Sequence, residues 1–297
     1  MAEELVATPG RLDAVVASAL GIPRADVQRA IAAGGVLVGG LPRPKSFRLE
    51  GGEVVSIDLG PVRGLEAEGP AVDVRFRDVH LLVVSKPPGV PTHPTENRRT
   101  GTLVNRLLGM GIPLAPSEDP MRPGIVHRLD AGTSGLLVVA CTEQALAALA
   151  GMFRRHEVER RYLALVRGVT DQDRFEVDAP LGRRGASIRL DLAGGRAAAT
   201  GFEVLERFTT ATLLDAAPRT GRTHQIRVHL SAVGHPILGD ARYGGGGDQA
   251  GRLGLARPFL HSAKIGFEHP GTGERIELED PLPEDLAEAL RRVRGED

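Results

Sequence analysis

Residues 122–140 read Arg-Pro-Gly-Ile-Val-His-Arg-Leu-Asp-Ala-Gly-Thr-Ser-Gly-Leu-Leu-Val-Val-Ala and set one carboxylate, Asp130, just before an apolar run. Residues 132–135 are of types that favour turns, and residues 136–140 are apolar and mostly branched, which predicts a tight loop entering a buried strand. Loops held by rigid strands often carry catalytic groups. Asp130 is therefore the first candidate for a reactive side chain, although a local ion pair with Arg128 would explain the same spacing.

A second segment, residues 220–229, reads Thr-Gly-Arg-Thr-His-Gln-Ile-Arg-Val-His. Together the two segments resemble the signature of the RluA-type RNA pseudouridine synthases, a His-Arg-Leu-Asp turn followed downstream by Thr-Gly-Arg-x-His-Gln-Ile-Arg. Shorter matches occur in the same order as in the family, at Lys86-Pro-Pro-Gly89, Arg161-Tyr162-Leu-Ala164 and Leu260-His-Ser262. The chain is therefore identified as a member of that family. The sequence of residues 122–130 favours the RluD-like branch, which acts on large-subunit ribosomal RNA.

The resemblance implies an isomerase, an intramolecular transferase that breaks the bond from ribose C1′ to uracil N1, turns the base and rejoins it through C5. It implies no metal, no nucleotide cofactor and no redox step. Asp130 would be the essential carboxylate, and it could trap the sugar, take a proton to give a glycal, or add to the base. Arg222 matches the arginine that pairs with this carboxylate. Tyr162 matches the tyrosine that packs on the flipped base and has been suggested as a proton acceptor. A pure packing role for Tyr162 stays open.

Further side chains are expected to bind the substrate. Arg128 would fill the space left by the flipped nucleotide or grip phosphate, and His127 would brace the loop beside it. The predicted substrate-binding residues are Arg128, His127, Ile226, Leu260, Arg219 and Lys86.

Composition and charge narrow the class of protein. At 297 residues with 41% hydrophobic side chains, the chain is long enough for one large and one small domain. No apolar run approaches the length of a membrane span, the amino terminus lacks the basic start of a signal peptide, and Cys141 is the single cysteine. These features predict a cytoplasmic protein with no membrane partner.

The net charge of −1 decides nothing by itself, but the charges are unevenly distributed. Residues 207–264 hold eight Arg and Lys against three Asp, whereas residues 265–297 hold ten acidic side chains against four Arg. A basic region beside the predicted site would attract phosphates and make binding depend on salt. RNA is therefore the expected partner, with ribosomal RNA favoured and transfer RNA left open.

Residues 8–59 predict a helix, a second helix and two strands. Thr8 would cap the first helix and Gly21 would end it, Pro23 would open the second, and residues 36–38 and 54–59 would be the strands. This order resembles the alpha-L RNA-binding motif shared with a small-subunit ribosomal protein. Its predicted phosphate contacts are Arg11, Arg24, Arg29 and Lys45.

The predicted domains are residues 1–60, a flexible linker at residues 61–71 and a catalytic domain at residues 72–297. Apolar strands with few helices, the clearest of them capped by Thr142, predict an α+β fold with a mixed, largely antiparallel sheet flanked by helices. Residues 244–251, which begin with four glycines, predict a mobile loop.

Other classes of site are poorly supported. His224 and His229 are five residues apart, a spacing that puts them on different faces of a helix or strand, so no metal site is predicted. The turn at Ser134 lacks the glycine spacing of a hydrolase nucleophile. Two alternatives stay open: a non-catalytic RNA-binding or ribosome-assembly factor, and a sugar-bond hydrolase, which would need a second carboxylate near Asp130.

Overall fold

The computed structural model describes residues 3–22, 24–58, 65–95, 98–185 and 187–296. The chain divides into two units, residues 1–65 and residues 66–297, and each encloses its own apolar core. Pro23, the predicted start of the second helix, lies outside the described residues, as do residue 59 and the first part of the predicted linker.

The amino-terminal unit combines two helices with short antiparallel strands. Its elements are β1 (Glu3–Val6), β2 (Gly10–Arg11), α1 (Leu12–Leu20), α2 (Arg24–Ala32), β3 (Val36–Val38), β4 (Leu41–Pro42), β5 (Arg48–Leu49) and β6 (Val54–Ile57). The strands form a sheet in the order β1-β6-β3-β4, and β2 pairs with β5. Val16 and Val27 on the helices are buried in one cluster with Val36 and Val55 on the strands. The two predicted helices and, after them, the two predicted strands are present as α1, α2, β3 and β6, whereas β1, β2, β4 and β5 were not predicted.

The start of α1 differs from the prediction. The helix begins at Leu12 and not after Thr8, because Gly10 and Arg11 pair with Leu49 and Arg48 and are committed to extended backbone. Its end is as predicted. Gly21 adopts the left-handed conformation with φ of 65°, which is unfavourable for residues that carry a side chain.

The carboxy-terminal unit is built on one large sheet. Its strands are β7 (Asp73–Arg77), β8 (Leu81–Lys86), β9 (Ser134–Ala140), β10 (Glu159–Arg167), β11 (Arg174–Asp178), β12 (Leu181–Arg184), β13 (Ser187–Leu190), β14 (Ala199–Arg207), β15 (Ala211–Pro218), β16 (Leu260–Glu268) and β17 (Arg275–Glu279). Its helices are α3 (Leu103–Gly109), α4 (Glu143–Arg155), α5 (Gln225–Ala232), a 3₁₀ turn (Ala241–Tyr243), α6 (Asp248–Arg252) and α7 (Glu284–Arg294).

The large sheet has the order β11-β14-β15-β10-β16-β9-β8-β7, with β17 beside β16. Neighbouring strands run antiparallel except β9 and β16, which are parallel where Ser134 and Gly135 face His261 and Ser262. The predicted α+β fold with a mixed, largely antiparallel sheet and flanking helices is confirmed.

Both faces of the sheet are covered. Along β8, Leu82 and Val84 are buried in one apolar cluster, whereas Leu81 and Val83 are buried in a second cluster that includes Leu149 of α4. A strand that is covered on both faces reads as a continuous apolar run, which is the pattern of residues 136–140. The predicted Thr142 cap of α4 is confirmed, since its hydroxyl accepts a hydrogen bond from the backbone N–H of Ala145 at 3.3 Å.

Gly135 permits the parallel contact. Its φ is 109°, and a Cβ there would lie 2.3 Å from the carbonyl oxygen of Ser262. His261 strengthens the same contact, because its Nε2–H donates to the Asp280 carbonyl at 3.0 Å and its Nδ1 then accepts from the Ser134 hydroxyl at 3.0 Å. Ser134 is thus committed to a buried structural bond.

Two predictions of flexible segments are corrected. Gly245 donates to the Asp240 carbonyl at 2.8 Å and accepts from Gly239 at 2.8 Å, and the predicted loop continues into α6, so this turn is held by backbone bonds. The last part of the predicted linker is also fixed, because Asn105 donates to the carbonyl oxygen of Glu66 at 2.8 Å. Across the described residues, no helix combines the length and apolarity that a bilayer crossing requires.

Candidate active site

Asp130 lies in the loop immediately before β9, and its side chain is 15% exposed. The loop is anchored on both sides of it. The backbone of Leu129 exchanges two hydrogen bonds with the Thr92 hydroxyl, at 2.8 and 3.1 Å. Arg257 donates to the carbonyl of Gly132 at 3.1 Å. These bonds fix the backbone on which the carboxylate stands.

One oxygen of Asp130 is held by an arginine. Oδ2 accepts a hydrogen bond from Nη1 of Arg227 at 2.9 Å. The predicted partner, Arg222, donates instead from Nε to the carbonyl of Ala197 at 3.1 Å. The predicted pairing of Arg222 with Asp130 is therefore wrong, because Arg222 lies in the loop before α5 and only Arg227 is directed from the helix to the carboxylate. Arg222 still lines the cavity beside Asp130, and its catalytic role stays a prediction.

Asp240 fixes Arg227 in turn. It accepts from Nε of Arg227 at 2.6 Å and from Nη2 at 2.9 Å, and its own side chain is 1% exposed. Burial alone would lower the pKa of Arg227, but the hydrogen bond to Asp240 and the charges of Asp130 and Asp240 outweigh burial and raise it. The guanidinium is thus permanently charged, with two N–H groups used for orientation and a third aimed at Asp130.

The other oxygen of Asp130 faces a histidine. Oδ1 lies 3.8 Å from Nε2 of His224, the residue that precedes α5. Nδ1 of His224 is 2.7 Å from the hydroxyl of Tyr243, and Arg227 lies 5.0 Å from the centre of the Tyr243 ring. Burial lowers the pKa of His224, and the charge of Asp130 acts in the opposite direction.

Predicted base-binding residues line a small cavity of about 70 Å³ that opens on Asp130. Tyr162, Ile226 and Leu260 form its apolar lining, and each is buried. Tyr162 stands at a bulge of β10, and burial raises the pKa of its phenol above the ordinary value. The structure therefore brings the predicted carboxylate and the predicted aromatic residue into one pocket.

Arg128 and His127 have different places. The Arg128 side chain is exposed and lines both the Asp130 cavity and the groove next to it. His127 braces the loop, because its Nε2 accepts from the backbone N–H of Val138 at 2.9 Å and its ring stacks on Phe153 with centroids 4.5 Å apart. Burial lowers the pKa of His127 to about 3, so the ring is neutral.

Two predicted substrate-binding residues lie away from the Asp130 cavity. Lys86 is fully buried and donates to the carbonyls of Pro87 and Val90, each at 2.9 Å, so it supports the loops and does not reach a substrate. Its pKa falls to about 7, mainly because of burial. Arg219 pairs with Glu176 at 2.8 Å on the surface outside the cavity. The predicted substrate contact of Lys86 is therefore wrong, whereas that of Arg219, which is exposed outside the cavity, stays a prediction.

A basic groove continues from the Asp130 cavity. It shares Arg128, Arg160 and Arg222 with the cavity and runs on past His93 and His156. The groove is lined by Arg122, Arg128, Arg154, Arg160, Arg196 and Arg222, and no carboxylate is among its lining residues. This concentration of guanidinium groups is typical of a surface that binds phosphates.

Metal ligands are not gathered anywhere in the described ranges, where no group of three or more His, Cys, Asp or Glu side chains is placed to hold an ion. Both ring nitrogens of His229 are hydrogen-bonded, Nδ1 to the Thr200 hydroxyl at 2.9 Å and Nε2 to the Ala179 carbonyl at 3.0 Å.

In the amino-terminal unit, three of the predicted RNA contacts lie around one carboxylate. Asp13 is fully buried and accepts from Arg11 at 3.2 Å, from Arg24 at 2.8 Å and from Gln28 at 2.8 Å. Lys45 donates to Gln28 at 3.1 Å. Burial alone would raise the pKa of Asp13, but these hydrogen bonds hold it well below the ordinary value. The side chain of the fourth predicted contact, Arg29, lies outside the described part of the chain.

Several site residues were missed from the sequence. Arg227 and His224 lie within the quoted motif, and the signal that could have found them is their spacing of three, which puts both on one face of a helix. Asp240 and Tyr243 share the short segment between two glycine turns, where no periodic pattern marks a buried charge.

Comparisons with known proteins agree with this site. A family model described as RNA pseudouridylate synthase matches residues 80–232. An uncharacterized RNA pseudouridine synthase of Bacillus subtilis is 38% identical, over 91% of this chain and 89% of that protein. The chain belongs to the RNA pseudouridine synthase family. It is therefore an isomerase that acts on RNA, as the resemblance predicted.

Other relatives extend the family match. A protein of Nitrosomonas europaea named ribosomal large subunit pseudouridine synthase D is 41% identical, over 82% of this chain and 73% of that protein. The solved structure of human RNA pseudouridylate synthase domain containing 1 shares 27% identity with a TM-score of 0.58, over 73% of this synthase and 86% of that chain. A second family model, the S4 domain, matches residues 10–55, so the amino-terminal unit of this pseudouridine synthase is an RNA-binding S4 domain.

Proposed function

We propose that this pseudouridine synthase isomerises specific uridines of large-subunit ribosomal RNA and that the reaction depends on Asp130. The ribosomal target is favoured because relatives from Nitrosomonas europaea and Zymomonas mobilis, 41% and 37% identical, are named ribosomal large subunit pseudouridine synthase D. Transfer RNA is the alternative substrate, and a non-catalytic RNA-binding or ribosome-assembly factor is the alternative class of protein.

The observation that carries the role of Asp130 is its half-occupied carboxylate. Oδ2 is held by Arg227 at 2.9 Å, whereas Oδ1 has no hydrogen-bond partner among the described residues, and Nε2 of His224 lies 3.8 Å from it. Asp130 lines the cavity, so a carboxylate oriented in this way keeps one oxygen for the sugar. That oxygen can trap C1′ as an ester, take the C2′ proton to give a glycal, or add to the base, and all three routes stay open.

The base would be held opposite the carboxylate. Tyr162 presents a buried ring, with Ile226 and Leu260 completing an apolar wall. A uracil flipped out of an RNA stack can pack against such a ring, and flipping costs a few kcal/mol. Because burial raises the pKa of Tyr162, its phenol is protonated at neutral pH and serves first as a packing surface.

The arginines of the basic groove would supply the binding energy for flipping. Arg128 borders both the cavity and the groove, the position from which a side chain can replace the flipped nucleotide or grip the adjoining phosphates. Phosphate contacts of this kind make affinity fall steeply with salt. In the S4 domain, Arg11 and Arg24 are held by Asp13 with about half of each side chain exposed, which leaves guanidinium N–H groups for further phosphates.

The test is pseudouridine mapping by carbodiimide-dependent primer-extension stops. Ribosomal and transfer RNA that lack pseudouridine are incubated with the wild-type protein, Asp130→Asn, or Asp178→Asn as an isosteric control at an exposed strand position. We expect stops at discrete uridines of large-subunit RNA with the wild type and the control, and none with Asp130→Asn.

Each other outcome removes a defined part of the proposal. Stops confined to transfer RNA would replace the substrate but keep Asp130. Stops of full strength with Asp130→Asn would overturn the role of that residue. An absence of new stops on both RNA pools would favour the non-catalytic RNA-binding factor.

A further inference from the structure

His224 stands beside the oxygen of Asp130 that Arg227 leaves open. The distance of 3.8 Å between its Nε2 and Oδ1 is too long for a hydrogen bond, and both side chains are 15% exposed at the cavity wall. The gap between the two atoms is therefore a place where one polar atom of a substrate could contact both groups.

The neighbours of His224 determine which of its nitrogens carries the proton. Nε2 of His224 faces a carboxylate oxygen of Asp130 at 3.8 Å, so a proton on Nε2 points at an acceptor. This leaves Nδ1 to accept from the O–H of Tyr243, whose oxygen is 2.7 Å away. Burial raises the pKa of Tyr243, which keeps that phenol protonated. With Nδ1 acting as an acceptor, the proton of the neutral imidazole is on Nε2, the atom that faces Asp130.

Burial of the His224 ring favours this neutral form. Burial lowers its pKa, Arg227 and Arg242 act in the same direction, and Asp130 and Asp240 oppose them. The ring therefore presents one N–H donor to the cavity. It has no additional role as a helix cap, because the side chain makes no hydrogen bond to the first turn of α5.

The backbone of His224 is strained into this position. Its φ is 56°, in the left-handed region, whereas a residue before a helix normally lies in the β region. Among the described residues other than glycine, only His156 shares a positive φ, and His156 ends α4 in the usual left-handed cap. Strained residues of this kind concentrate at functional sites.

We propose that the Nε2–H of His224 donates a hydrogen bond to the 2′-hydroxyl of the target ribose, and that this contact makes the enzyme select ribose over deoxyribose. The inference rests on the proposed function and on Asp130 approaching C1′. The sugar oxygens nearest C1′ are O2′ and the ring O4′. A donor at O4′ would oppose the positive charge that develops there, whereas O2′ can accept from His224 and donate to Asp130. The 2′-hydroxyl is thus the atom that fits the gap.

The test combines two substrates with two variants. A short RNA that contains a mapped target uridine is made with uridine or with 2′-deoxyuridine at that single position, and kcat/KM is measured for each. His224→Phe keeps a ring but removes the donor, while His224→Gln returns an N–H near the position of Nε2. The two variants bear the same left-handed backbone strain, so they control for it.

For the wild type we expect the deoxy substrate to lose roughly thirtyfold in kcat/KM, since the pocket is left with an unpaired donor. His224→Phe should turn over the ribose substrate roughly thirtyfold more slowly and show a deoxy penalty of about threefold or less. His224→Gln should recover part of the rate and part of the penalty. Tyr243→Phe should weaken the penalty, because the imidazole proton is then no longer confined to Nε2.

An equal deoxy penalty in the wild type and in His224→Phe would overturn the contact, because effects of the deoxy sugar on ring pucker are common to both enzymes. If His224→Phe is too slow to measure, Tyr243→Phe decides: a weakened deoxy penalty supports the contact, and a penalty equal to that of the wild type refutes it. Failure of the proposed function is a separate result, since the wild type would then convert no uridine in any RNA.

Discussion

Two carboxylates, one in each unit, both accept hydrogen bonds from arginine but differ in how many of their oxygens have a donor. In the S4 domain, Asp13 is fully buried and accepts from Arg11, Arg24 and Gln28. In the catalytic unit, Asp130 accepts from Arg227 through one oxygen and shows the other to the cavity. The first carboxylate is saturated with donors, and the second is not.

The difference separates a structural carboxylate, Asp13, from Asp130, for which we propose a reactive role. A carboxylate whose oxygens are both bonded is stabilised as an anion and has no lone pair positioned for a new partner. Asp130 keeps the orientation that an arginine provides, because Arg227 is itself fixed by Asp240, yet retains an unoccupied oxygen. Ion pairing with arginine is common to both carboxylates, so it does not by itself distinguish the one for which we propose a catalytic role; the oxygen left without a donor does.

The largest expected effect on kcat comes from replacing the carboxylate of Asp130, for which we propose the reactive role. Asp130→Asn should lower kcat by more than about 10⁴-fold while its thermal unfolding stays close to that of the wild type. The amide keeps the shape of the side chain, and its oxygen can still accept from Arg227. Single-turnover kinetics and calorimetry test this prediction, and a loss of stability that matches the loss of rate would contradict it.

The orientation of Asp130 can be broken without removing it. Arg227→Lys should lower kcat by about 10²- to 10³-fold, because an ammonium cannot bind Asp240 through two N–H groups and also reach Asp130 with a third. RNA affinity should change little, since this guanidinium is buried and paired with carboxylates. Comparing kcat with the dissociation constant of the RNA tests the prediction, and a loss confined to affinity would contradict it.

Replacing Asp13 should have the opposite result, a loss of stability without a loss of reaction rate. Asp13→Asn should destabilise the S4 domain by about 2 to 3 kcal/mol, because Arg11 and Arg24 lose the charge that they surround. The chain contains no tryptophan, so hydrogen exchange with mass spectrometry over residues 3–58 is the suitable measurement. Faster exchange in the catalytic unit of Asp13→Asn would show that the two carboxylates are not independent. A lower reaction rate of this variant on a saturating short RNA would show the same.

The smallest expected effect concerns the loop that carries Asp130. His127 has a folded pKa of about 3, below the value near 6.5 of an unfolded histidine, so the fold favours the neutral ring. The resulting stability is fully present above pH 6.5 and is lost as the pH falls toward 3. Between pH 7 and 5 the loss amounts to about 2 kcal/mol.

His127→Gln keeps an acceptor for Val138 and does not titrate, so it serves as the control. Urea unfolding at pH 7, 6 and 5 should show a shallower acid loss in this variant than in the wild type. The remaining loss comes from His93, His224, His229 and His261, whose pKa values are also lowered by burial. If the free energy of unfolding fell equally with pH in the two proteins, His127 would not contribute to the acid loss of stability.

The fold was predictable where the pattern is local. Residues 136–140 form the buried strand that their composition indicates, and Thr142 caps the helix that follows. The start of α1 was not predictable, because the pairing of Gly10 and Arg11 with residues 48–49 overrides the cap signal of Thr8. The firm turn at Gly245 was missed for the same reason, since its bonds come from the backbone and not from a side-chain pattern.

The site was predictable only in part. Asp130 and Tyr162 lie in contiguous motifs, and the structure brings them to one cavity. The choice between Arg222 and Arg227 could not be made, because both stand in one motif and the first residue of α5 decides which side chain turns inward. Asp240 acts on Asp130 only through Arg227, and sequence spacing carries no information about such a relay.

The parallel contact at Gly135 also fixes the order in which the enzyme can be completed during synthesis. It joins residues 134–135 to residues 261–262, so β7, β8 and β9 leave the ribosome as a local meander long before β16 is made. Contacts between distant parts of a chain form last, and the residues that orient Asp130 arrive late as well. A growing chain thus displays the S4 domain before the catalytic unit is complete, and the ability to break a glycosidic bond is withheld until residues 260–268 have been translated.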